Sequence, residues 1–263
     1  MHQLVCPKCH EPLVQEGKTY KCQNNHCYDI AKSQYINLLL NPDKATNNPG
    51  DNKESLLCRK AFLNQGYYDV ILNEVVNYIQ NHAHKDMHIL DLGCGEGYYT
   101  YQMKQRLQDA TVYGLDISKM ASKYTKDIYW IVGNSKNIPL KDHSLDVITA
   151  LFTVVNVDEL KRCLKEDGYI IHVTANNKHL IEFKELIYDE VEVKSDEFIR
   201  LPFKVKESYD FKKIIHLRNR EDTLNLLQMT PHYYHIKKEK RHVLDTLDAF
   251  DVTIDIRITV YAI

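Results

Sequence analysis

The hydrophobic positions in the middle of the chain fall into short apolar runs, separated by longer segments of mixed polarity. These runs have the length and the β-branched content of buried strands, and they lie at residues 87–91, 111–116, 128–132, 145–150 and 169–173. The segments between them have helical length, and the first of these is predicted as a helix at 98–107. Alternating strands and helices predict an α/β fold with a parallel, doubly wound sheet covered by helices on both faces.

The segments that flank this alternation carry patterns of their own. Residues 55–81 have apolar positions at helical spacing, and Gly66 is expected to break them into two helices. Residues 221–229 predict another helix. Residues 198–211 alternate only in places and fit either a strand or a long excursion. Residues 251–261 alternate cleanly, which predicts a closing antiparallel strand.

The N-terminal 35 residues differ, because they have little apolar periodicity and many Cys, Lys, Asn and Gln residues. A segment of this kind cannot bury enough surface to fold alone, so a bound metal is its natural support. Turn-forming residues at 41–43 and 47–51 predict a linker. The chain is thus divided into a metal-binding module, a linker with helices, and the main α/β domain, at residues 1–36, 37–84 and 85–263.

Charge and composition limit the functions that remain. The formal net charge is −2, so contact with nucleic acid would depend on local basic patches and not on the field of the whole molecule. The N-terminus has no apolar core of a secretory signal, and no apolar run approaches the roughly 20 residues that span a bilayer. A cytoplasmic protein without membrane contact is expected.

Four of the seven cysteines lie within the first 27 residues. Cys6 and Cys9 form a C-x2-C pair, and Cys22 is followed by His26 and Cys27. Thiolate and imidazole ligands at this spacing are typical of a closed, structural Zn²⁺ site. The spacing leaves His26 and Cys27 as alternatives for the fourth ligand. A redox-active cysteine cluster is the competing interpretation.

A glycine-rich loop follows the first predicted strand of the main domain. Gly93, Gly95 and Gly97 allow a ligand to approach the backbone, and the helix that begins next presents free N–H groups. The next strand ends at Asp116, roughly 20 residues beyond the loop, where a carboxylate can accept hydrogen bonds from ribose hydroxyls. This arrangement predicts a site for a nucleoside-containing cofactor.

The order of residues in the loop, D-x-G-x-G-x-G from Asp91 to Gly97, resembles the S-adenosylmethionine loop of the Rossmann-like methyltransferases. A dinucleotide loop would instead read G-x-G-x-x-G. The resemblance implies an adenine contact at Asn134, after the third strand, with a turn residue at the strand end as the alternative. A glycine-rich turn in an unrelated α/β protein is the alternative.

Taken together, the cysteine cluster and the loop resemble the bacterial 23S rRNA guanine-N1 methyltransferases of the RlmA type. The resemblance covers nearly the whole chain and rests on these segments in order: 6–9, 28–32, 35–39, 49–51, 59–63, 66–68, 91–100, 114–119, 179–180, 186–188 and 228–231. It implies a Rossmann-like class I methyltransferase sheet with a small N-terminal zinc-binding module. It also implies zinc ligands at Cys6, Cys9, Cys22 and His26, and cofactor contacts at Tyr68, Gly95, Glu96 and His179.

The same resemblance implies methyl transfer to N1 of a guanosine in a hairpin of 23S rRNA, by a homodimer. The chain departs from the family pattern at 153–156, where a Pro-Cys-Lys or Pro-Cys-Asn segment is usual, and at 165–168 and 174–177. The catalytic base is unassigned, with Asn156 and Asp158 as candidates by location. A small-molecule methyltransferase, and an RNA-binding protein that keeps the cofactor fold with impaired catalysis, are the alternatives.

Overall fold

The computed structural model of the protein describes residues 2–40, 53–118, 127–191 and 200–263. The linker predicted at 41–43 and 47–51 lies outside these described residues. The predicted fold class is confirmed: a mixed α/β domain with a central, mostly parallel sheet carries a Cys/His cluster in an N-terminal module. Within the described parts of the chain, no helix is both long and apolar enough to cross a membrane.

The N-terminal module contains a three-stranded antiparallel sheet. Its strands follow one another in sequence and are β1 (Val14–Glu16), β2 (Thr19–Lys21) and β3 (Cys27–Asp29). The turn between β1 and β2 contains Gly17, whose φ of 64° lies in the left-handed region that glycine adopts at little cost.

Among the described residues, the central sheet has eight strands. They are β4 (Tyr35–Asn37), β5 (His88–Leu92), β6 (Thr111–Asp116), β7 (Ile128–Val132), β8 (Leu145–Leu151), β9 (Leu164–Ala175), β10 (Lys204–Leu217) and β11 (Phe250–Ala262). Their order is β10-β11-β9-β8-β5-β6-β7-β4. Neighbours from β9 to β4 pair in parallel, whereas β11 is antiparallel to both β9 and β10.

The strand order reverses between the adjacent strands β5 and β8. Chain connections leave these two strands in opposite directions, so a crevice opens at their carboxyl ends. The predicted closing strand at 251–261 is confirmed as β11, and β10 begins within the ambiguous segment 198–211 and continues to Leu217. Strand β9 starts five residues before its predicted start at residue 169 and takes in residues 165–168.

The helices are α1 (Lys53–Leu63), α2 (Asp69–Asn81), α3 (Tyr98–Arg106), α4 (Val157–Cys163), α5 (Ile181–Ile187), α6 (Arg220–Gln228) and the single turn α7 (Val243–Thr246). Two short 3-10 segments, Pro231–His235 and Lys238–Lys240, lie between α6 and α7. The predicted break between the first two helices is confirmed, and Gly66 lies in it with a φ of 79°.

The two faces of the sheet are covered differently. Apolar side chains of α2, α3, α5 and α6 pack on one face. On the other face, the described core residues include side chains of α4, of the segments around Leu140 and Leu201, and of the N-terminal module, among them Leu4, Leu13 and Ile36. The module is therefore part of the hydrophobic core of the domain.

Backbone pairing also joins the module to the sheet. Val5 donates its N–H to the carbonyl of Pro139 at 3.0 Å, and Leu4 forms a bridge with Leu140. Strand β4 pairs in parallel with β7 at the edge of the sheet. The sequence pattern did not predict β4 as a strand, because three residues carry too little periodicity.

Candidate functional site

The predicted metal ligands lie in two tight turns of the N-terminal module. Cys6 and Cys9 flank one turn, in which His10 donates its N–H to the carbonyl of Cys6 at 2.8 Å. Cys22 and His26 flank the other, where the N–H of Cys22 donates to the carbonyl of His26 at 3.1 Å. The four ligand atoms all lie within 4.8 Å of one another.

The spacing of these atoms fits a tetrahedral zinc ion. The Nδ1 atom of His26 lies 3.4 Å from the Sγ atoms of Cys6 and Cys22 and 3.5 Å from that of Cys9, and the Cys9 and Cys22 sulfurs are 3.7 Å apart. Tetrahedral coordination with a Zn–S distance near 2.3 Å separates ligands by about 3.5 to 3.8 Å. Cys27 is exposed and lies outside this group, with its thiol near the carbonyl of Asn25.

The glycine loop begins at the end of β5, and its conformation depends on glycine. Gly93, Gly95 and Gly97 have φ values of 71°, 56° and 92°. A Cβ atom at Gly93 would lie 2.2 Å from Oγ1 of Thr153, so the loop after β8 passes directly against it. Gly97 is the N-cap of α3.

Asp116, at the end of β6, supports the loop from the side. Its Oδ2 accepts the N–H of Gly95 and its Oδ1 accepts the N–H of Ser118, both at 2.8 Å. The carboxylate oxygens keep further acceptor capacity, since each has two lone pairs.

Asp91 stabilises the end of β5 and is not among the residues that line the neighbouring cavity. It is 2% exposed, and its carboxylate accepts the hydroxyls of Thr100 at 2.5 Å and Thr149 at 2.9 Å. Burial raises the pKa of Asp91 to about 6 despite these hydrogen bonds. The side chain therefore ties β5 to α3 and β8.

A cavity of about 1240 Å³ opens at the carboxyl ends of β5 and β8. Of the cofactor-binding residues expected from the sequence, it brings together Tyr68, Gly93, Gly95, Glu96, Asp116 and His179. Asn134 is not among its lining residues and accepts the N–H of Lys136 instead. Asn156 caps α4 by accepting the N–H of Glu159, and Asp158 is exposed in the first turn of that helix.

Two hydroxyl groups in the cavity wall are buried without a partner. Neither the Tyr99 hydroxyl nor Oγ of Ser118 has a hydrogen-bond partner among the described residues. Buried polar groups are rarely left unsatisfied unless a ligand or water completes them. With the glycines that leave the backbone open and the acceptors of Asp116, the wall suits the ribose and amino-acid groups of S-adenosylmethionine.

His179 is a further lining residue of this cavity. Its ring stacks on Phe152 with centroids 5.7 Å apart, and its Nδ1 accepts the N–H of Asp255 at 3.3 Å. Burial lowers its pKa to about 3, with smaller contributions from the charges of Lys184 and His232. The imidazole is therefore neutral at physiological pH.

We expect His179→Asn to make the protein less sensitive to acid. An unfolded chain protonates this imidazole near pH 6.5, whereas the folded chain resists until about 3, so folding becomes less favourable as the pH falls between these values. Asn can still accept the N–H of Asp255. The free energy of unfolding of the wild type, measured by urea titration, should fall by up to about 1.4 kcal/mol more per pH unit between pH 6 and 4 than that of the variant.

The control for this comparison is His242→Asn, because His242 is exposed. Its pH dependence should match that of the wild type. Parallel curves for wild type and His179→Asn would contradict the assignment of a buried, neutral imidazole.

Sequence patterns missed several residues of the cavity wall. Arg59 comes from α1, Phe152 from the end of β8 and His172 from β9. Phe152 has a left-handed φ of 55° and is 42% exposed, which is unusual for a bulky residue and typical of strain held at a functional site. Arg59 lies in one of the segments that carry the family resemblance, but no local pattern assigned a role to any of the three, because separate elements bring them together.

Two family models match separate parts of the chain. Residues 4–45 match the zinc-ribbon family described as RlmA, N-terminal, and residues 90–172 match a methyltransferase domain family. The resemblance inferred from the sequence is thereby confirmed in its two parts.

Three relatives show how far the similarity extends. A provisionally named 23S rRNA (guanine-N(1)-)-methyltransferase of Bacillus subtilis is 26% identical and covers 97% of this chain and 95% of the relative. The 23S rRNA (guanine(748)-N(1))-methyltransferase of Streptomyces fradiae is 26% identical over 70% of this chain and 67% of its own length. A demethylmenaquinone methyltransferase of Staphylococcus haemolyticus is 27% identical, over 53% of this chain and 70% of the relative.

Proposed function

Because the chain belongs to the RlmA-type family of Rossmann-like methyltransferases with an N-terminal zinc module, we propose that it methylates N1 of a guanosine in a hairpin of 23S rRNA. S-adenosylmethionine supplies the methyl group from its sulfonium. Cys6, Cys9, Cys22 and His26 hold the structural zinc. This proposal follows the relatives whose similarity extends through the zinc ribbon.

The observation that carries the proposal is the shared cavity at the ends of β5 and β8. One wall holds the glycine loop, Glu96 and Asp116, which suit the cofactor. The other wall holds Phe152, Val154 and Tyr234, which are 42%, 87% and 52% exposed. A large exposed apolar surface beside a cofactor site is suited to a flat, apolar face such as that of a nucleobase.

Phe152 is the side chain best placed to receive the base. Its N–H donates to the carbonyl of Val173 at 2.9 Å, which fixes the backbone, and His179 supports one face of the ring. A guanine drawn out of its hairpin can stack on exposed aromatic surface of this kind.

The N1 proton of guanine must leave before or during methyl transfer. The sequence suggested Asn156 and Asp158 for this role by location, and neither lines the cavity. Among the described lining residues, His172 and His232 both have a pKa lowered by burial, so each is a neutral imidazole that can accept a proton.

Basic residues near the cavity and on the zinc module supply contacts for RNA phosphates. Lys8, Lys18 and Lys32 are exposed on the module. Beyond the cavity wall at 229–234, Lys238 and Arg241 are exposed, whereas Lys237 and Lys240 pair with Asp189. RNA affinity should therefore fall steeply as the salt concentration rises.

Phe152→Ala is expected to weaken the RNA complex and spare the cofactor complex. Loss of one base–aromatic stack costs about 1–3 kcal/mol, so KM for the RNA should rise about tenfold or more. The dissociation constant for S-adenosylmethionine, measured by calorimetry, should stay within about twofold. Ile214→Ala is the control, because Ile214 is 65% exposed on β10 and lies outside the cavity wall. An unchanged KM for RNA in Phe152→Ala would remove this residue from the substrate site.

The function itself is tested by single-turnover methylation of 23S rRNA transcripts. The products should contain 1-methylguanosine at one hairpin position, mapped by mass spectrometry of nuclease fragments. Size measurement in solution tests the accompanying proposal of a homodimer. Cofactor binding without RNA methylation would favour the impaired, RNA-binding alternative, and methylation of small quinones alone would favour the small-molecule alternative.

A further inference from the structure

The acidic residues of the cavity wall cannot bind the carboxylate of the cofactor. The methionine part of S-adenosylmethionine carries both an ammonium and a carboxylate. Glu96 and Asp116 suit the ammonium and the ribose hydroxyls, but they would repel the carboxylate. A carboxylate in a largely buried site needs a cationic or multiple N–H partner.

Arg59 is the cation that lies against the glycine loop. Its Nη1 is 3.2 Å from the position that a Cβ atom would occupy at Gly95. The other arginine among the described lining residues, Arg200, is exposed. No lysine is found among the lining residues that the structure describes.

The Arg59 guanidinium is held from a second side. Its Nη2 donates to the carbonyl of Met229 at 3.4 Å, which links α1 to the end of α6. Burial raises the pKa of Tyr68 and of Tyr99, and the nearby positive charge of Arg59 opposes that rise in both. The charge therefore acts on the same wall that carries the expected cofactor contacts.

We propose that Arg59 binds the α-carboxylate of the methionine moiety of S-adenosylmethionine. A side chain at position 95 would meet the guanidinium, so glycine there lets the loop and Arg59 approach each other closely. The planar guanidinium can offer two parallel N–H groups to a carboxylate, which lysine cannot do. The inference rests on the proposed cofactor and not on the proposed RNA substrate.

A binding cycle with two cofactor forms separates this role from a structural one. Calorimetry compares S-adenosylmethionine with its decarboxylated form, which keeps the ammonium and lacks the carboxylate, on the wild type and on Arg59→Gln. The glutamine amide can still donate to the Met229 carbonyl. We expect binding of S-adenosylmethionine to weaken about 30-fold in Arg59→Gln, with binding of the decarboxylated form changing less than about twofold. Arg59→Lys should recover part of the loss.

Lys60→Gln is the matched control, because it removes the neighbouring cation on α1, which does not line the cavity. It should bind both ligands as the wild type does. Equal weakening of both ligands in Arg59→Gln, or no weakening of either, would overturn the proposal. The assay contains no RNA, so a failure of rRNA methylation leaves it intact, whereas a wild type that binds neither ligand overturns both this inference and the proposed cofactor.

Discussion

Cys22→Ser is expected to abolish zinc binding and to lower the melting temperature of the whole protein by about 10 °C or more. Cys22 is 3% exposed, and its sulfur lies 3.4 Å from Nδ1 of His26 and 3.7 Å from the Cys9 sulfur. A structural zinc ion supplies much of the folding free energy of such a module. At this chain length about 1 kcal/mol corresponds to about 2–4 °C, so a loss of several kcal/mol gives the stated shift.

The effect should reach the methyltransferase domain because the two parts share one core. Leu4, Leu13 and Ile36 of the module pack with Leu90 and Ile148 of the central sheet. We therefore expect a single cooperative transition that moves as a unit, not the early melting of a separate module. Scanning calorimetry measures this directly.

Cys27→Ser is the matched control, since it changes the adjacent exposed cysteine. It should retain one zinc per chain by elemental analysis and melt within about 1 °C of the wild type. Zinc retained by Cys22→Ser, or lost from Cys27→Ser, would show that the assigned set of four zinc ligands is wrong.

Gly93→Ala is expected to cause the second large effect, a loss of S-adenosylmethionine affinity of at least about 100-fold. A Cβ atom there would lie 2.2 Å from Oγ1 and 2.7 Å from Cβ of Thr153, far inside van der Waals contact. The left-handed φ of 71° adds a cost of about 1–2 kcal/mol for a non-glycine residue. The loops after β5 and β8 would have to separate, and both line the cofactor cavity.

Two variants divide these contributions. Gly17→Ala introduces only the conformational cost of a left-handed φ, because the φ of Gly17 is 64° and nothing lies within 4 Å of the added Cβ atom. It should leave cofactor affinity within about twofold. The double variant Gly93→Ala with Thr153→Gly removes the clash and should regain much of the affinity measured by calorimetry. If the double variant binds no better than Gly93→Ala, contact with Thr153 is not the cause.

Local patterns were enough to predict much of this fold. The five apolar runs became strands because a central parallel strand is buried on both faces; all seven residues of β8 are buried. The glycine loop and the Cys/His cluster were also predictable, since each depends on residues close together in sequence. In both cases the chemistry and the spacing are visible without the fold.

Features that depend on distant parts of the chain were not predictable. Strand β4 exists because residues 35–37 meet the free edge of β7, and nothing in three residues indicates that neighbour. Arg59 and Phe152 reach the cavity only through the packing of α1 and the left-handed turn after β8. Asn134 follows β7 as expected, yet its own turn occupies its side-chain oxygen with the N–H of Lys136.

The position of β11 has a consequence for how the protein is made. This strand follows every other described element in the chain, yet it lies between β9 and β10 and pairs with both. During translation, β9 and β10 therefore emerge from the ribosome before β11, the strand with which both of them pair. Until then β9 presents an unpaired edge of buried, apolar residues, which is a template for aggregation. The sheet can therefore be completed only after β11, the last of its described strands in chain order, has emerged.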